Sequence, residues 1–170
     1  LKVFAGSLRE ELTDGPRLKA GLNQPSGLST DGRRLFVADS EASAIRVTGF
    51  DEDAELETII GTGLFDFGDV DGKGRKVRLQ HPLDVEYLDG VVYVADTYNS
   101  KIKILDPQTA VVKSFIGGMD ELDEPGGISI AGDKIYIADT NNHRIVVADL
   151  IEGSAMTLVL TDPERLLARD

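Results

Sequence analysis

Three times in this chain a proline is followed, fourteen positions later, by the Asp of an Ala-Asp pair, with no gap in any copy. The copies are PSGLSTDGRRLFVAD (Pro25 to Asp39), PLDVEYLDGVVYVAD (Pro82 to Asp96) and PGGISIAGDKIYIAD (Pro125 to Asp139). A recurring unit of this kind restricts the chain to a repeat architecture, in which one supersecondary unit stacks on copies of itself. The similarity continues past each Asp. An apolar pair follows (Ile45 and Val47, Ile102 and Ile104, Ile145 and Val147), then an apolar run ending in glycine at Gly61 and Gly117. The third copy has Met156–Leu160 there and Thr161 in place of the glycine. The first repeat is longer than the second only between Gly61 and Pro82, and loop length of this kind costs little.

Each repeat predicts four short strands. The first covers Gly27–Ser29, Leu83–Tyr87 and Gly127–Ile130. The second, Leu35–Ala38, Val91–Ala95 and Ile135–Ala138, is apolar without interruption, which suits burial on both faces. The third carries the apolar pairs, with Arg46, Lys103 and Val146 between them on the other face. The fourth is the run before the glycine. Asp31-Gly32 and Asp89-Gly90 are hairpin turn signals. No helical period appears before residue 163, and the tail 162–170 is expected to form one helical turn or fray. The fold class is therefore all-β, and a four-stranded unit of about 40–45 residues has the size of a propeller blade.

The residues after each Asp carry a resemblance. Asp96-Thr97-Tyr98-Asn99-Ser100-Lys101-Ile102 and Asp139-Thr140-Asn141-Asn142-His143-Arg144-Ile145 resemble the NHL repeat, named for its Asn-His-Leu signature. The first copy keeps only Ala-Asp and Ile45. The junctions agree too: Gly61, Asp71-Gly72 and Pro82 recur as Gly6, Asp14-Gly15 and Pro25. This pattern is most similar to NHL proteins that carry a thioredoxin-like domain ahead of the propeller. The resemblance spans residues 1 to 161 and implies a β-propeller of four-stranded antiparallel NHL blades, commonly six in a ring. It divides the chain into an outer strand of a preceding blade (1–6) and blades at 24–61, 81–117 and 124–161. The chain is thus expected to be a C-terminal half of a larger propeller. Two raw flanks imply either a homodimer of half-propellers or association with the missing half.

Charge and composition narrow the function. The net charge is −12, which argues against a nucleic-acid partner, since a phosphate backbone requires a basic footprint. Lys73, Arg75, Lys76 and Arg78 form one basic cluster, expected to be a solvated loop balanced by Asp66, Asp69 and Asp71. There is no cysteine, so no disulfide or thiol chemistry occurs in this segment. No apolar run reaches membrane-spanning length, and a cytoplasmic location is expected.

Strands in a meander alternate direction, so the junctions 7–24 and 62–81 share one face with the turns that follow each Asp. Binding residues are expected on that face: Phe65, Phe67, His81, Tyr98, Asn99, Asn142, His143 and Arg144. Phe65 and Phe67 are expected to fold back over the neighbouring blade rather than stand exposed. Asp39, Asp96 and Asp139 are expected to be structural, each accepting hydrogen bonds from its own following turn. His81 and His143 have no diagnostic metal spacing, and Asp69-x-Asp71 resembles a calcium loop only at its start. No catalytic constellation, metal site or cofactor is assigned. The sequence therefore points to a scaffold for a protein or peptide partner. A propeller lyase or hydrolase, with a site at the channel mouth completed only in the full ring, is the alternative.

Overall fold

A computed structural model describes residues 1–118 and 120–151, and the backbone of Ala155–Leu158. Fourteen strands form three antiparallel sheets. In the first, β2 (Pro25–Thr30), β3 (Arg34–Asp39), β4 (Ala44–Gly49) and β5 (Glu55–Ile60) run as a meander, with β1 (Gly15–Pro16) added outside β5. The second repeats this plan with β7 (Pro82–Leu88), β8 (Val91–Asp96), β9 (Lys101–Asp106), β10 (Val111–Gly117) and the outer strand β6 (Gly72–Lys73). The third contains β11 (Pro125–Ala131), β12 (Lys134–Asp139), β13 (Arg144–Asp149) and β14 (Ala155–Leu158). The fourth strand expected at Met156–Leu160 is thus described as far as Leu158, while the tail 162–170 lies outside the described residues.

The repeated Pro and Asp mark the two ends of one hairpin. Pro25 pairs with Asp39, Pro82 with Asp96 and Pro125 with Asp139, and each pairing has a register shift immediately beyond it. The second strand is apolar throughout because its alternate residues serve different cores. Val92 and Val94 of β8 join Phe36 and Ala38 of β3 in a core between the first and second sheets. Tyr93 and Ala95 join Ile135 and Ile137 of β12 in a core between the second and third. The junctions contribute to the same layers, with Val77 and Leu79 in one core and Leu122 in the other. The sheets therefore stack as neighbouring blades, with β2, β7 and β11 adjacent to one another along one side.

The segment 1–6, expected as an outer strand, carries no strand. It lies against the first junction instead: the Gly6 N–H donates to the Arg17 carbonyl (2.9 Å), and Phe4 packs between Phe50 and the Arg17 guanidinium. The short outer strands β1 and β6 are the second departure from the four-strand expectation. Both begin at the glycine of an Asp-Gly pair, and these glycines adopt positive φ (135° at Gly15, 148° at Gly72). The third junction has no Asp-Gly and its sheet has no fifth strand among the described residues.

These outer strands have an electrostatic cause. Arg46 and Lys103, the polar residues between the apolar pairs, are completely buried. A buried cation requires acceptors, and Arg46 is met at both terminal nitrogens though not at Nε. Arg46 donates to Asp39, Asp14 and the carbonyls of Gly21 and Thr13, all within 2.9–3.0 Å. Lys103 reaches Asp69 (2.7 Å), Asp71 (3.0 Å) and Asp96 (3.5 Å). Asp14 and Asp71 are equivalent, and each also accepts from the fourth strand, at Thr58 or Ser114. Where the third repeat has Val146, no cation requires a carboxylate and the junction is short. We expect Lys103→Met to cost about 3–5 kcal/mol, because it strands the buried Asp96 charge. Lys103→Arg, which copies the first sheet, should cost much less. Urea denaturation of both variants tests this, and equal costs for the two would refute the ion-pair account.

Candidate functional site

The three repeated Asp side chains are completely buried. Each accepts a hydrogen bond at Oδ1 from the backbone N–H sixteen residues earlier: Asn23 to Asp39 (2.6 Å), Gln80 to Asp96 (2.7 Å) and Asp123 to Asp139 (2.7 Å). The donor lies in the preceding junction, whereas the sequence reading placed it in the turn that follows. The following turn contributes at Oδ2 through the signature asparagines, Asn99 to Asp96 (2.7 Å) and Asn142 to Asp139 (2.9 Å). Arg144 Nε joins Asp139 at 2.6 Å, which supplies the charge that Val146 does not. Asn99, Asn142 and Arg144 are therefore committed to holding the loop face together.

The hydroxyl after Asp39 and the one after Asp96 link blade to blade. Ser40 donates to the Pro82 carbonyl (2.8 Å) and Thr97 to the Pro125 carbonyl (2.9 Å). Three positions later in the turn, Ser43 and Ser100 have positive φ, and their hydroxyls accept from the N–H groups of His81 and Glu124 in the next blade. Thr140 and His143 hold the equivalent places in the third blade. There Thr140 reaches only its own Ala138 carbonyl (3.3 Å), and His143 is exposed. Tyr136, equivalent to the core residues Phe36 and Tyr93, is 38% exposed on the same flank.

Of the eight candidate binding residues, the structure brings two into contact. The His81 and Tyr98 rings stack at 4.6 Å between centroids, 15° from parallel, and His81 Nε2 lies 3.0 Å from Glu41 Oε1. Tyr98 remains half-exposed at the seam between the first and second blades. No group of three or more His, Cys, Asp or Glu among the described residues is arranged to hold a metal ion.

Phe65 and Phe67 do not fold back. They are 91% and 55% exposed, beside Leu64 at 40%. The turn itself is built to hold them outward. Asp66, between the two rings, accepts from Thr62 and from Arg78 Nε (2.6 Å), and these donors hold its carboxyl below the usual range. The Gly68 carbonyl accepts from the signature Asn99 (2.7 Å). With its polar residue satisfied inward, the turn leaves its apolar residues to solvent. Glu41 and the exposed side chains of Lys73, Arg75 and Lys76 complete the surroundings of this face; the sequence reading took the three cations as a solvated loop.

The buried carboxylates differ in proton affinity. Burial pushes Asp96 up to about 6, against hydrogen bonds from Asn99 and Gln80 and the charge of Lys103; the Asp69 charge adds to the rise. Burial also raises Asp39. It opposes the lowering of Asp139, where the Asp123 N–H, Asn142 and Arg144 prevail. Asp96 thus contributes stability fully below about pH 4 and loses it as pH rises through about 6, because the folded state retains a proton that the unfolded chain has released. Asp139 has the opposite sign, with stability lost as pH falls below the usual carboxylate range. In urea titrations, the stability difference between the protein and Asp96→Asn should fall by up to about 3 kcal/mol from pH 4 to 6.5. The corresponding difference for Asp139→Asn should stay flat over that window. A pH-independent Asp96→Asn difference would contradict the assignment.

Comparison with known proteins agrees with this geometry. The NHL repeat profile matches residues 122–148. The chain is 42% identical to human (Homo sapiens) NHL repeat-containing protein 2 over 174 residues, covering 86% of this chain and 24% of that protein. It is 40% identical to the Gallus gallus protein of the same name, covering 95% of this chain and 26% of that protein. Protein SUPPRESSOR OF QUENCHING 1, chloroplastic, of Arabidopsis thaliana is 36% identical, with 89% of this chain and 16% of that protein covered. The chain therefore spans about a quarter or less of the length of these relatives. Among solved structures, an auxiliary nutrient binding protein from Bacteroides ovatus superposes with a TM-score of 0.60 at 18% identity, covering 67% of this chain and 34% of that one. A streptogramin B lyase superposes at 0.59 and 14% identity, covering 81% and 41%. At these identities the two structures speak for the fold alone.

Proposed function

Because this chain is built of NHL repeats in a β-propeller arrangement, we propose that it is a scaffold that binds a protein or peptide through its loop face. The observation that carries this reading is the outward presentation of Phe65 and Phe67 on a turn fixed by Asp66, Arg78 and Asn99. Contiguous exposed apolar side chains mark interaction sites, and aromatic residues supply large contact area where partners bind. The His81–Tyr98 stack extends the same face. The full-length protein carries a thioredoxin-like domain ahead of the propeller in this reading. That part of the reading rests on the resemblance, carried by Gly61, Asp71-Gly72 and Pro82, to NHL proteins that have such a domain.

The test is a comparison of captured proteins. Phe65→Ala with Phe67→Ala should remove a partner that the unaltered protein retains, while Arg33→Ala, in a turn of the opposite face, should retain it. Loss with Arg33→Ala, or retention with the double variant, would refute the loop-face reading.

The flank of the third blade is also an association surface in this proposal. Tyr136, Thr140 and His143 stand where the other blades bury an aromatic ring and bond their neighbour. A second copy or further blades of the parent ring would complete those contacts. Light scattering should show a mass above 18.3 kDa, reduced to the monomer by Tyr136→Glu. A wild-type monomer would refute self-pairing.

A further inference from the structure

The junction 62–81 carries a second exposed feature beside its aromatic turn. Lys73, Arg75 and Lys76 are exposed and close no salt bridge among the described residues. The acids expected to balance them are engaged elsewhere. Asp66 is bonded by Arg78, with Arg75 acting on it through charge alone, Asp69 is bonded by Lys101 and Lys103, and Asp71 by Lys103 and Ser114. A protein with twelve excess negative charges therefore presents three exposed cations that close no ion pair among the described residues.

The cations and the aromatic turn form one unit. The Arg78 guanidinium bonds Asp66 through Nε (2.6 Å) and the Arg75 carbonyl through a terminal nitrogen (2.7 Å), so a single side chain fastens both loops. The backbone closes the same hairpin, with Gly68 N–H to Leu79 O (3.0 Å) and Val70 bonded to Arg78 in both directions. Beside it, an open groove of about 400 Å³ separates this junction from the first. Leu12 and Ile59 supply its apolar surface and Arg75 lines one wall. The one carboxylate in the groove, Asp14, is already bonded to Arg46 and Thr58.

We propose that this surface binds an acidic linear peptide segment with interspersed apolar side chains, its carboxylates on Lys73, Arg75 and Lys76 and its apolar residues on Phe65, Phe67 and the groove. This rests on the loop-face reading above and names the partner's chemistry. Hydrogen bonds between charged partners are the strong ones, and arginine pairs carboxylates in a two-toothed geometry. The overall negative charge does not oppose this at physiological salt. Screening acts over about 8 Å, so the three nearest cations outweigh distant acids. Single-stranded nucleic acid shares the negative charge, but its affinity depends on neutralising many phosphates, and three cations on an acidic protein are too few.

Fluorescence anisotropy with a labelled peptide of alternating Glu and Leu tests the proposal. Binding should weaken about tenfold or more in the variant combining Lys73→Gln, Arg75→Gln and Lys76→Gln, the loss expected for one or two charge-assisted contacts. The same loss is expected when Gln replaces Glu in the peptide, and binding should decline as salt rises. Phe65→Ala with Phe67→Ala should weaken it independently of salt. If the Gln peptide binds equally and only the Phe substitutions matter, the acidic chemistry is wrong while the loop-face reading stands. If an oligouridine binds more tightly than the peptide and is lost with the same cations, the partner is nucleic acid and the proposal fails. Absence of binding by the Glu-Leu peptide also overturns it, whatever partner the capture experiment retains.

Discussion

One hydrogen bond, repeated three times, organises the molecule: the N–H of each blade junction donated to the carboxylate that ends the second strand of the next blade. It fixes where the chain enters a blade relative to where it turns after the hairpin. The next residue's hydroxyl then bonds the following blade at Pro82 or Pro125. Orientation within one blade is thereby passed to its neighbour through two adjacent side chains. An apolar core alone does not do this, because it is tolerant of sliding. Directional bonds in a buried setting supply the register, and leaving one unmade costs about 1–3 kcal/mol.

The cation beneath the first two carboxylates shows how one constraint generates another. Placing Arg46 or Lys103 in the interior neutralises the Asp, yet a single carboxylate does not satisfy the donors of either side chain. The junction bends back to deliver Asp14 or Asp71, and in doing so lays down the outer strands β1 and β6. The third blade reaches a similar end from the opposite direction. Arg144 approaches Asp139 from the half-exposed turn, and the interior position is Val146. Its carboxylate is accordingly the one whose proton affinity is lowered. The shorter junction and the absence of a fifth strand among the described residues follow from that single exchange.

These relations explain what could be read in the sequence. The Pro-to-Asp spacing is visible because Pro25 pairs with Asp39 across one hairpin, a local contact that no insertion interrupts. The uninterrupted apolar second strand is visible because its alternate residues serve two cores. Arg46 and Lys103 were placed on the other face of the third strand, and their burial there was not visible because a charge between two apolar residues is also the ordinary pattern of a half-exposed strand. A signal did exist. Asp14 and Asp71 each precede their cation by 32 positions, and the third copy lacks both members. The exposure of Phe65 and Phe67 had no such signal, since an irregular turn has no period to betray its facing. The segment 1–6, expected as an outer strand of a preceding blade, lies against the first junction through Gly6 and Phe4.

The placement of charge in this chain separates structure from recognition. Acidic residues near the second junction are consumed by Arg78, Lys101 and Lys103, all of which fix backbone or bury a strand. That consumption is what leaves Lys73, Arg75 and Lys76 without an ion pair among the described residues, and it is also what turns the phenyl rings outward around Asp66. The exposed cations and aromatics therefore arise from the same bonds that stabilise the hairpin. The first junction, whose Asp14 meets the same buried demand, has no phenylalanine or basic triplet in the corresponding place. The repeat thus supplies a conserved frame in each copy, and the surface that distinguishes one junction from the next lies in residues that the frame does not use.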